Sequence, residues 1–219
     1  MLKQELLDYY DSDNKVLLGQ VERCEAKRKG LWVRCFECMI IRPDGKLLYQ
    51  LRASKKPNSP NKLTISAGGH LSAGETLEQG ARELKEELGI DDVNFKDLKY
   101  IGWYRRVSDA IYENFGEYHT RTFSNIFLCK DGRPLNEFKI QEEELDGIFE
   151  IDMDDLKKMF KGQIEGIKIV GLIFDNKREK LIKNERFVKV DDFTRSPHEW
   201  LKLFNCIEDY NNGREDIYI

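Results

Sequence analysis

The sequence predicts an α+β fold with a mixed sheet. Hydrophobic residues alternate with period two from Leu31 to Ile41, as expected for a β-strand. After Thr76 the period becomes 3.6, as in an amphipathic helix, with apolar residues at Leu77, Ala81, Leu84 and Leu88. Further strand-like and helix-like runs mix without regular βαβ alternation, and this indicates a mixed sheet covered by helices.

The first two strands are predicted to form a hairpin. Arg42-Pro43-Asp44-Gly45 supplies turn residues after the first strand, and Lys46 to Arg52 forms the second strand. A basic loop over residues 53–61 leads to a third short strand, Leu63 to Ala67, which ends in Gly68-Gly69. The glycines therefore come directly before the predicted helix.

That helix has start and stop signals in the sequence. Thr76 and Gln79 have the spacing of a capping box, and Gly89 suits the left-handed position that ends a helix. Further strand-like runs lie at 98–103, 120–128 and 147–151, and residues 154–160 are predicted to be helical.

The chain of 219 residues divides by pattern into three segments. Residues 1–29 are polar and are predicted to form an N-terminal arm, residues 30–161 the main domain, and residues 162–219 a C-terminal α/β extension. In the extension, Ser196-Pro197 predicts a helix start, followed by an apolar stripe at Trp200, Leu201, Phe204 and Ile207. The stripe must be buried, so we expect it to pack on the main domain or across the interface of a homodimer.

Composition limits the function classes. With 36 Lys and Arg against 40 Asp and Glu, the net charge of −4 provides no general attraction for nucleic acid or anionic membranes. No apolar run approaches the ~20 residues of a membrane span, and the N-terminus lacks the features of a signal peptide. We therefore expect a cytoplasmic protein with no membrane or nucleic-acid partner, whose five cysteines are reduced.

Three carboxylates are predicted to share one helix face. Residues of a helix turn by about 100° each, so Glu83, Glu86 and Glu87 fall within one arc beside Arg82. Like charges at this spacing repel one another, and the repulsion grows when they lose water. A hard divalent cation such as Mg²⁺ is the natural compensating charge, because it takes carboxylate oxygens and bridges to substrate phosphates.

The joint pattern of this segment closely resembles the Nudix box. Gly69 is followed after five residues by Glu75 and after six more by the run from Arg82 to Ile90, which carries the three carboxylates and Gly89. The sequence differs from the usual box in one place, since seven residues normally separate the first Glu from the Arg. The resemblance to the Nudix hydrolase superfamily covers roughly residues 30–160.

The resemblance implies an α/β/α sandwich and metal-dependent cleavage of a nucleoside diphosphate linked to another group, or of a related diphosphate. It assigns Mg²⁺ or Mn²⁺ to Glu83, Glu86, Glu87 and the carbonyl of Gly68. Arg82 would orient a box carboxylate. A further glutamate beyond the box acts as base or ligand in many members, and among Glu142, Glu143 and Glu144 we assign this role to Glu144, with Glu86 as the other catalytic carboxylate.

Two alternative functions remain within the superfamily. Residues 30–36, 46–52 and 66–70 look like the isopentenyl-diphosphate isomerase branch, but Gly68 stands where that family has its cysteine, and threonines of the run 120–125 stand where it has glutamates. Isomerase chemistry is therefore disfavoured. The second alternative is a catalytically silent module that senses a nucleotide, and the intact set of Arg82 and three glutamates argues against it.

Substrate contacts are predicted from cationic and aromatic residues near the box. Cationic side chains attract phosphate, and aromatic rings can stack on a base. The candidates for substrate binding are Arg34, Arg52, Lys55 and Tyr104.

Overall fold

The computed structural model describes residues 5–112, 116–175, 177 and 179–219. The first four residues of the predicted arm lie outside this description. The strands are β1 (Leu6–Tyr10), β2 (Leu17–Glu22), β3 (Trp32–Ile41), β4 (Leu47–Arg52), β5 (Leu63–Thr64), β6 (Ala67–His70), β7 (Lys99–Tyr112), β8 (Gly116–Lys130), β9 (Leu145–Ile151), β10 (Ile167–Asp175) and β11 (Lys180–Val188). The helices are α1 (Arg23–Lys29), α2 (Leu77–Gly80), α3 (Arg82–Leu88), α4 (Met153–Phe160) and α5 (Pro197–Asn211).

The strands form one mixed sheet. Its main path runs β11-β10-β9-β4-β3-β1-β2, while β5 pairs with β4, β6 and β8 pair with β3, and β7 pairs with β8. The β3–β8 pair is parallel and its neighbours are antiparallel. The predicted α+β fold with a mixed sheet is therefore confirmed.

Helices cover both faces of this sheet. Along β3, Phe36, Cys38 and Ile40 pack in a core that also contains Leu84 and Leu88 of α3. The alternate residues Met39 and Ile41 pack in a second core with side chains of α4 and α5. Because successive side chains of a strand point to opposite faces, this division builds the predicted α/β/α sandwich.

The N-terminal segment belongs to the sheet. Strand β1 pairs with β3 through Tyr9 and Val33, and β2 continues the sheet beyond β1. A small third core joins β1, β2, α1 and β3, and it consists of Leu7, Val21, Ala26 and Val33. The strands on either side of residue 29 are hydrogen bonded to each other. The division of the chain into an arm and a main domain at this residue stays a prediction.

The C-terminal segment also extends the sheet and supplies part of its core. Strand β10 pairs with β9, and α5 packs beside α4. Trp200 is fully buried, with its ring centroid 5.0 Å from that of Tyr49 and 6.1 Å from that of Phe204. Ile207 is buried in the same core, whereas Leu201 is half-buried at its margin.

The packing of Trp200 predicts a large loss of stability in a Trp200→Ala variant. Removing a buried Trp side chain leaves a cavity and costs about 3–5 kcal/mol. We expect the free energy of unfolding to fall by this amount in urea titrations. Tyr218→Ala, which shortens an exposed aromatic side chain of the same segment, should change it by less than about 0.5 kcal/mol. Equal stability of the two variants would show that α5 does not support the core.

Candidate active site

The segment after the two glycines forms two helices, α2 and α3, where one continuous helix was predicted. The chain tightens between them, because Ala81 N donates to Glu78 O at 3.2 Å and Leu84 N to Ala81 O at 3.1 Å. These three-residue hydrogen bonds interrupt the regular helix at Ala81. The ends follow the sequence signals, with the Thr76–Gln79 capping box formed and Gly89 in the left-handed region at φ 70°.

Two of the three predicted carboxylates are buried beside β6. The exposed fractions of Glu83 and Glu87 are 9% and 5%, whereas Glu86 is exposed. Gly68 N donates to Glu87 Oε2 at 2.8 Å, and Gln50 Nε2 donates to the same oxygen at 3.0 Å. A side chain at Gly69 would overlap the carboxylate of Glu83, so a glycine is required there for the close approach of α3.

Burial changes the acidity of this pair. Loss of water raises the pKa of Glu83 to about 7, and the nearby negative charge of Glu86 contributes to the rise. Loss of water also raises the pKa of Glu87 to about 8, with a contribution from the charge of Glu83. Ionisation of both groups at neutral pH is therefore unfavourable unless a positive charge compensates them.

Arg82 connects the carboxylates of the box. Its Nε donates to Glu75 Oε1 at 2.7 Å, and its Nη1 donates to Glu83 Oε1 at 2.6 Å and to Glu86 Oε2 at 2.8 Å. Glu75 thus lies beside Arg82 although one residue fewer separates them than in the usual box. The tight turn at Ala81 falls within this shortened stretch.

Glu144 lies close to the buried pair. Its charge contributes to the raised pKa values of both Glu83 and Glu87. Its carboxylate pairs with Lys56, a residue of the basic loop over residues 53–61. The loop that carries Lys56 is held to Glu144 through Ala53 N, which donates to Glu144 O at 2.9 Å.

Among the substrate-binding candidates, Arg52 lies nearest to this cluster. Its side chain donates to the carbonyl oxygens of Asn58 and Ser59, and its charge interacts with Glu87 and Glu144. Lys55 is exposed and lines a small cavity of about 90 Å³ beyond the Glu144 loop.

The other two candidates are engaged elsewhere. Arg34 Nε donates to Asn14 Oδ1 at 2.7 Å, and its guanidinium lies over the Tyr10 ring at 3.9 Å. The hydroxyl of Tyr104 accepts a hydrogen bond from Arg195 Nε at 2.5 Å. Arg195 was missed in the sequence because it precedes the α5 helix signal and matches no motif.

The oxygen atoms available at this site are ligands of the kind that a hard divalent cation binds. Carboxylate oxygens and a backbone carbonyl are the ligands that Mg²⁺ and Mn²⁺ prefer. The two hydrogen-bond donors to Glu87, Gly68 N and Gln50 Nε2, are both neutral, so its buried charge lacks compensation from them. Among the described residues, however, no three His, Cys, Asp or Glu side chains are arranged to hold a metal ion. A cation would compete with Arg82 for Glu83 and Glu86.

Comparison with known proteins defines the family. The family model for the NUDIX domain matches residues 31–170, which include the glycines, Arg82 and the box glutamates. An uncharacterized Nudix hydrolase of Clostridium acetobutylicum is 32% identical over 204 residues, covering 91% of this chain and 93% of the relative. The chain therefore belongs to the Nudix family and is a Nudix hydrolase.

Two further similarities agree with this assignment. An uncharacterized Nudix hydrolase of Yersinia pestis is 32% identical over 145 residues, covering 66% of this chain and 71% of the relative. The crystal structure of DR0079 from Deinococcus radiodurans superposes with a TM-score of 0.52 at 21% identity, covering 72% of this chain and 90% of that one. This structural likeness shows the shared fold.

In the described part of the chain, no helix has the length and apolar character needed to span a membrane.

The raised pKa values predict how stability depends on pH when metal is removed. Both groups ionise near 4.5 in the unfolded chain but near 7 and 8 when folded, so the folded state holds more protons between about pH 5 and 8. Their contribution to the free energy of unfolding should therefore fall as pH rises through this window. In urea titrations with a chelator, Glu87→Gln should gain stability relative to the parent as pH increases from 5.5 to 8.5.

The matched control is Glu78→Gln, which neutralises an exposed carboxylate of α2. Its stability difference from the parent should be the same at both pH values. A pH-independent difference for Glu87→Gln would contradict the electrostatic description of the site.

Proposed function

We propose that this protein is a divalent-metal-dependent pyrophosphohydrolase that acts on a nucleoside diphosphate linked to another group or on a related diphosphate. The observation that carries the proposal is the buried pair Glu83 and Glu87 beside Gly68 and Arg82. Two desolvated carboxylates so close together are costly unless a cation compensates them. Membership of the Nudix family supports hydrolysis as the reaction class.

The cation would be Mg²⁺ or Mn²⁺, held by Glu83, Glu86, Glu87 and the carbonyl oxygen of Gly68. When bound, such an ion neutralises phosphate oxygens and makes a water nucleophile available at neutral pH. Arg82 acts as a positioning residue, since its guanidinium bonds to Glu75, Glu83 and Glu86.

Glu144 is proposed as the group that accepts the proton of the attacking water. It lies near Glu83 and Glu87, and the ammonium group of Lys56 holds its carboxylate in place. Arg52 is proposed to contact the diphosphate, because its charge interacts with Glu87 and Glu144. Of Arg34, Arg52, Lys55 and Tyr104, Arg52 is thus the best placed for this contact.

The isomerase alternative is disfavoured by the same geometry. Gly68 lies at the position of the isomerase cysteine and has no side chain to move a proton. The opposite residue on β3, Glu37, is paired with Arg195. A silent sensing module is disfavoured because the box carboxylates and Arg82 are all present. A cytoplasmic location and a homodimer stay predictions from the sequence.

The proposal predicts metal-dependent hydrolysis that Glu87→Gln abolishes. A panel of nucleoside diphosphate conjugates would be incubated with Mg²⁺ or Mn²⁺, and the cleaved nucleotide measured by chromatography. We expect the variant to lose at least about 100-fold in kcat/KM because it loses a charged ligand. Glu78→Gln should stay within about twofold of the parent. Parent-like activity of Glu87→Gln at saturating metal would contradict the assignment.

The same panel would include isopentenyl diphosphate as a test of the alternative. The hydrolase proposal expects its carbon skeleton to be returned unchanged. Formation of dimethylallyl diphosphate well above a control without enzyme would favour the isomerase function instead.

A further inference from the structure

A buried polar surface lies on the side of β6 opposite α3. The register places His70 of β6 opposite Cys35 of β3, Cys35 opposite Ser124 of β8, and Ser124 opposite Tyr104 of β7. Directly opposite residues of paired strands point to the same face. These four side chains, together with Glu37 of β3, are called the polar face below.

The polar face contrasts with the rest of the same sheet surface. Farther along β3 and β8, this surface carries Met39, Ile41, Ile126 and Leu128, which belong to the apolar core. Cys35, Glu37 and Ser124 are also buried, with exposed fractions of 7%, 8% and 0%. Buried polar groups are costly unless each finds a partner, so a polar surface in this position needs an explanation.

Lys27 of α1 adds an unusual charge to this region. Its exposed fraction is only 5%, and its charge interacts with Cys35, Arg23, Arg106 and Glu5. Loss of water lowers the pKa of Lys27 to about 8. The ammonium group lies 5.6 Å from the centre of the Tyr118 ring, and no carboxylate of the described residues forms an ion pair with it.

Arg195 brings a second buried cation from the C-terminal segment. It is 4% exposed; its Nη2 donates to Glu37 Oε2 at 2.5 Å and its Nε donates to the hydroxyl of Tyr104. The remaining nitrogen, Nη1, has no hydrogen-bond partner among the described residues. The Trp200 ring lies 4.9 Å from the guanidinium carbon and offers this side chain a cation–π contact in place of a conventional acceptor.

These groups have more donors and positive charge than acceptors. Lys27, Arg106 and Arg195 contribute three positive charges. Three carboxylates interact with Lys27 or Arg195, and each has a partner of its own: Glu37 is bonded to Arg195, Glu5 is paired with Arg23, and Glu199 is bonded to Ser196. The ring Nε2 of His70 also has no partner among the described residues. An anion would supply the missing acceptors and the missing negative charge together.

The polar face is also close to the proposed site of hydrolysis. Gly68, whose N–H bonds to Glu87, lies opposite Glu37 in the β3–β6 pair. The charge of Arg52 interacts with Glu87 and Glu144 and also with Arg106. The proposed site of hydrolysis and the polar face are therefore neighbours.

We propose that the polar face is an anion subsite in which Lys27 and Arg195 bind a phosphate or carboxylate group of the substrate. The inference that this anion belongs to the substrate rests on the proposed function. Such a subsite selects diphosphates that carry a further negatively charged group in the part of the molecule that is not cleaved. Arg195, which lies beyond the matched residues 31–170, then contributes a substrate contact from the C-terminal segment.

The test uses inorganic phosphate and the metal-free protein. Phosphate would be titrated calorimetrically into the full chain in the presence of a chelator, at fixed ionic strength and pH 7. Lys27→Met should weaken phosphate binding at least tenfold, since it removes the charge and keeps a side chain of similar volume. Lys29→Met, which changes an exposed lysine of the same helix, should stay within twofold of the parent.

The stability of the variants is measured separately, so that a loss of binding is not confused with a loss of folding. Lys27→Met removes a desolvated charge and should be at least as stable as the parent in urea. Arg195→Met alone would leave Glu37 buried and unpaired, so it is combined with Glu37→Gln and compared with Glu37→Gln by itself. The double variant should also bind phosphate at least tenfold more weakly than Glu37→Gln.

The outcomes separate this subsite from the hydrolase proposal. Failure of the parent to bind phosphate at 10–20 mM (roughly the range in which a two-cation site should saturate) would overturn the subsite. Parent-like phosphate affinity in Lys27→Met would overturn it as well, whatever the double variant shows. Loss of phosphate binding in Lys27→Met, with Glu87→Gln retaining it, would support the subsite even if no substrate of the panel were hydrolysed.

Discussion

The burial of the carboxyl groups of Glu83 and Glu87 is the constraint on which the rest of the site depends. Their approach to β6 requires that Gly69 have no side chain, and the N–H of Gly68 and the amide of Gln50 must point at Glu87. Arg82 then bridges Glu83 to the more exposed Glu86. These contacts orient the carboxylates but leave their charge incompletely compensated. Under the proposed function, the arrangement is costly in the metal-free protein, and a bound divalent cation would make it favourable.

The sheet explains why both segments outside the central region are close to this site. Strands β1 and β2 bring α1 against the polar face, and the turn before α5 brings Arg195 to Glu37 from the other side. Trp200 holds the start of α5 in the core, so the position of Arg195 depends on packing that is remote from the carboxylates. The proposed anion subsite would therefore couple substrate recognition to stability in the C-terminal segment.

Much of the central region was predictable because its signals are local. The hairpin turn at residues 42–45, the capping box and the box carboxylates all depend on residues close in sequence. The N-terminal strands were not predicted as part of the sheet, because β1 buries only Leu7 fully and β2 only Val21. The burial of Glu83 and Glu87 depends on contacts with β6 that no local sequence signal of α3 indicates. Arg195 was missed for the same reason, since its partners Glu37 and Tyr104 lie far away in sequence.

Direct measurement of Mn²⁺ binding tests the central claim that these carboxylates form a cation site. Free Mn²⁺ would be followed by electron paramagnetic resonance during titration of the parent, Glu83→Gln, Glu87→Gln and Glu78→Gln. The account predicts saturable binding in the parent and in Glu78→Gln, and at least tenfold weaker binding in each of the other two variants, because each loses a charged oxygen ligand. Equal Mn²⁺ affinity in all four proteins would contradict it.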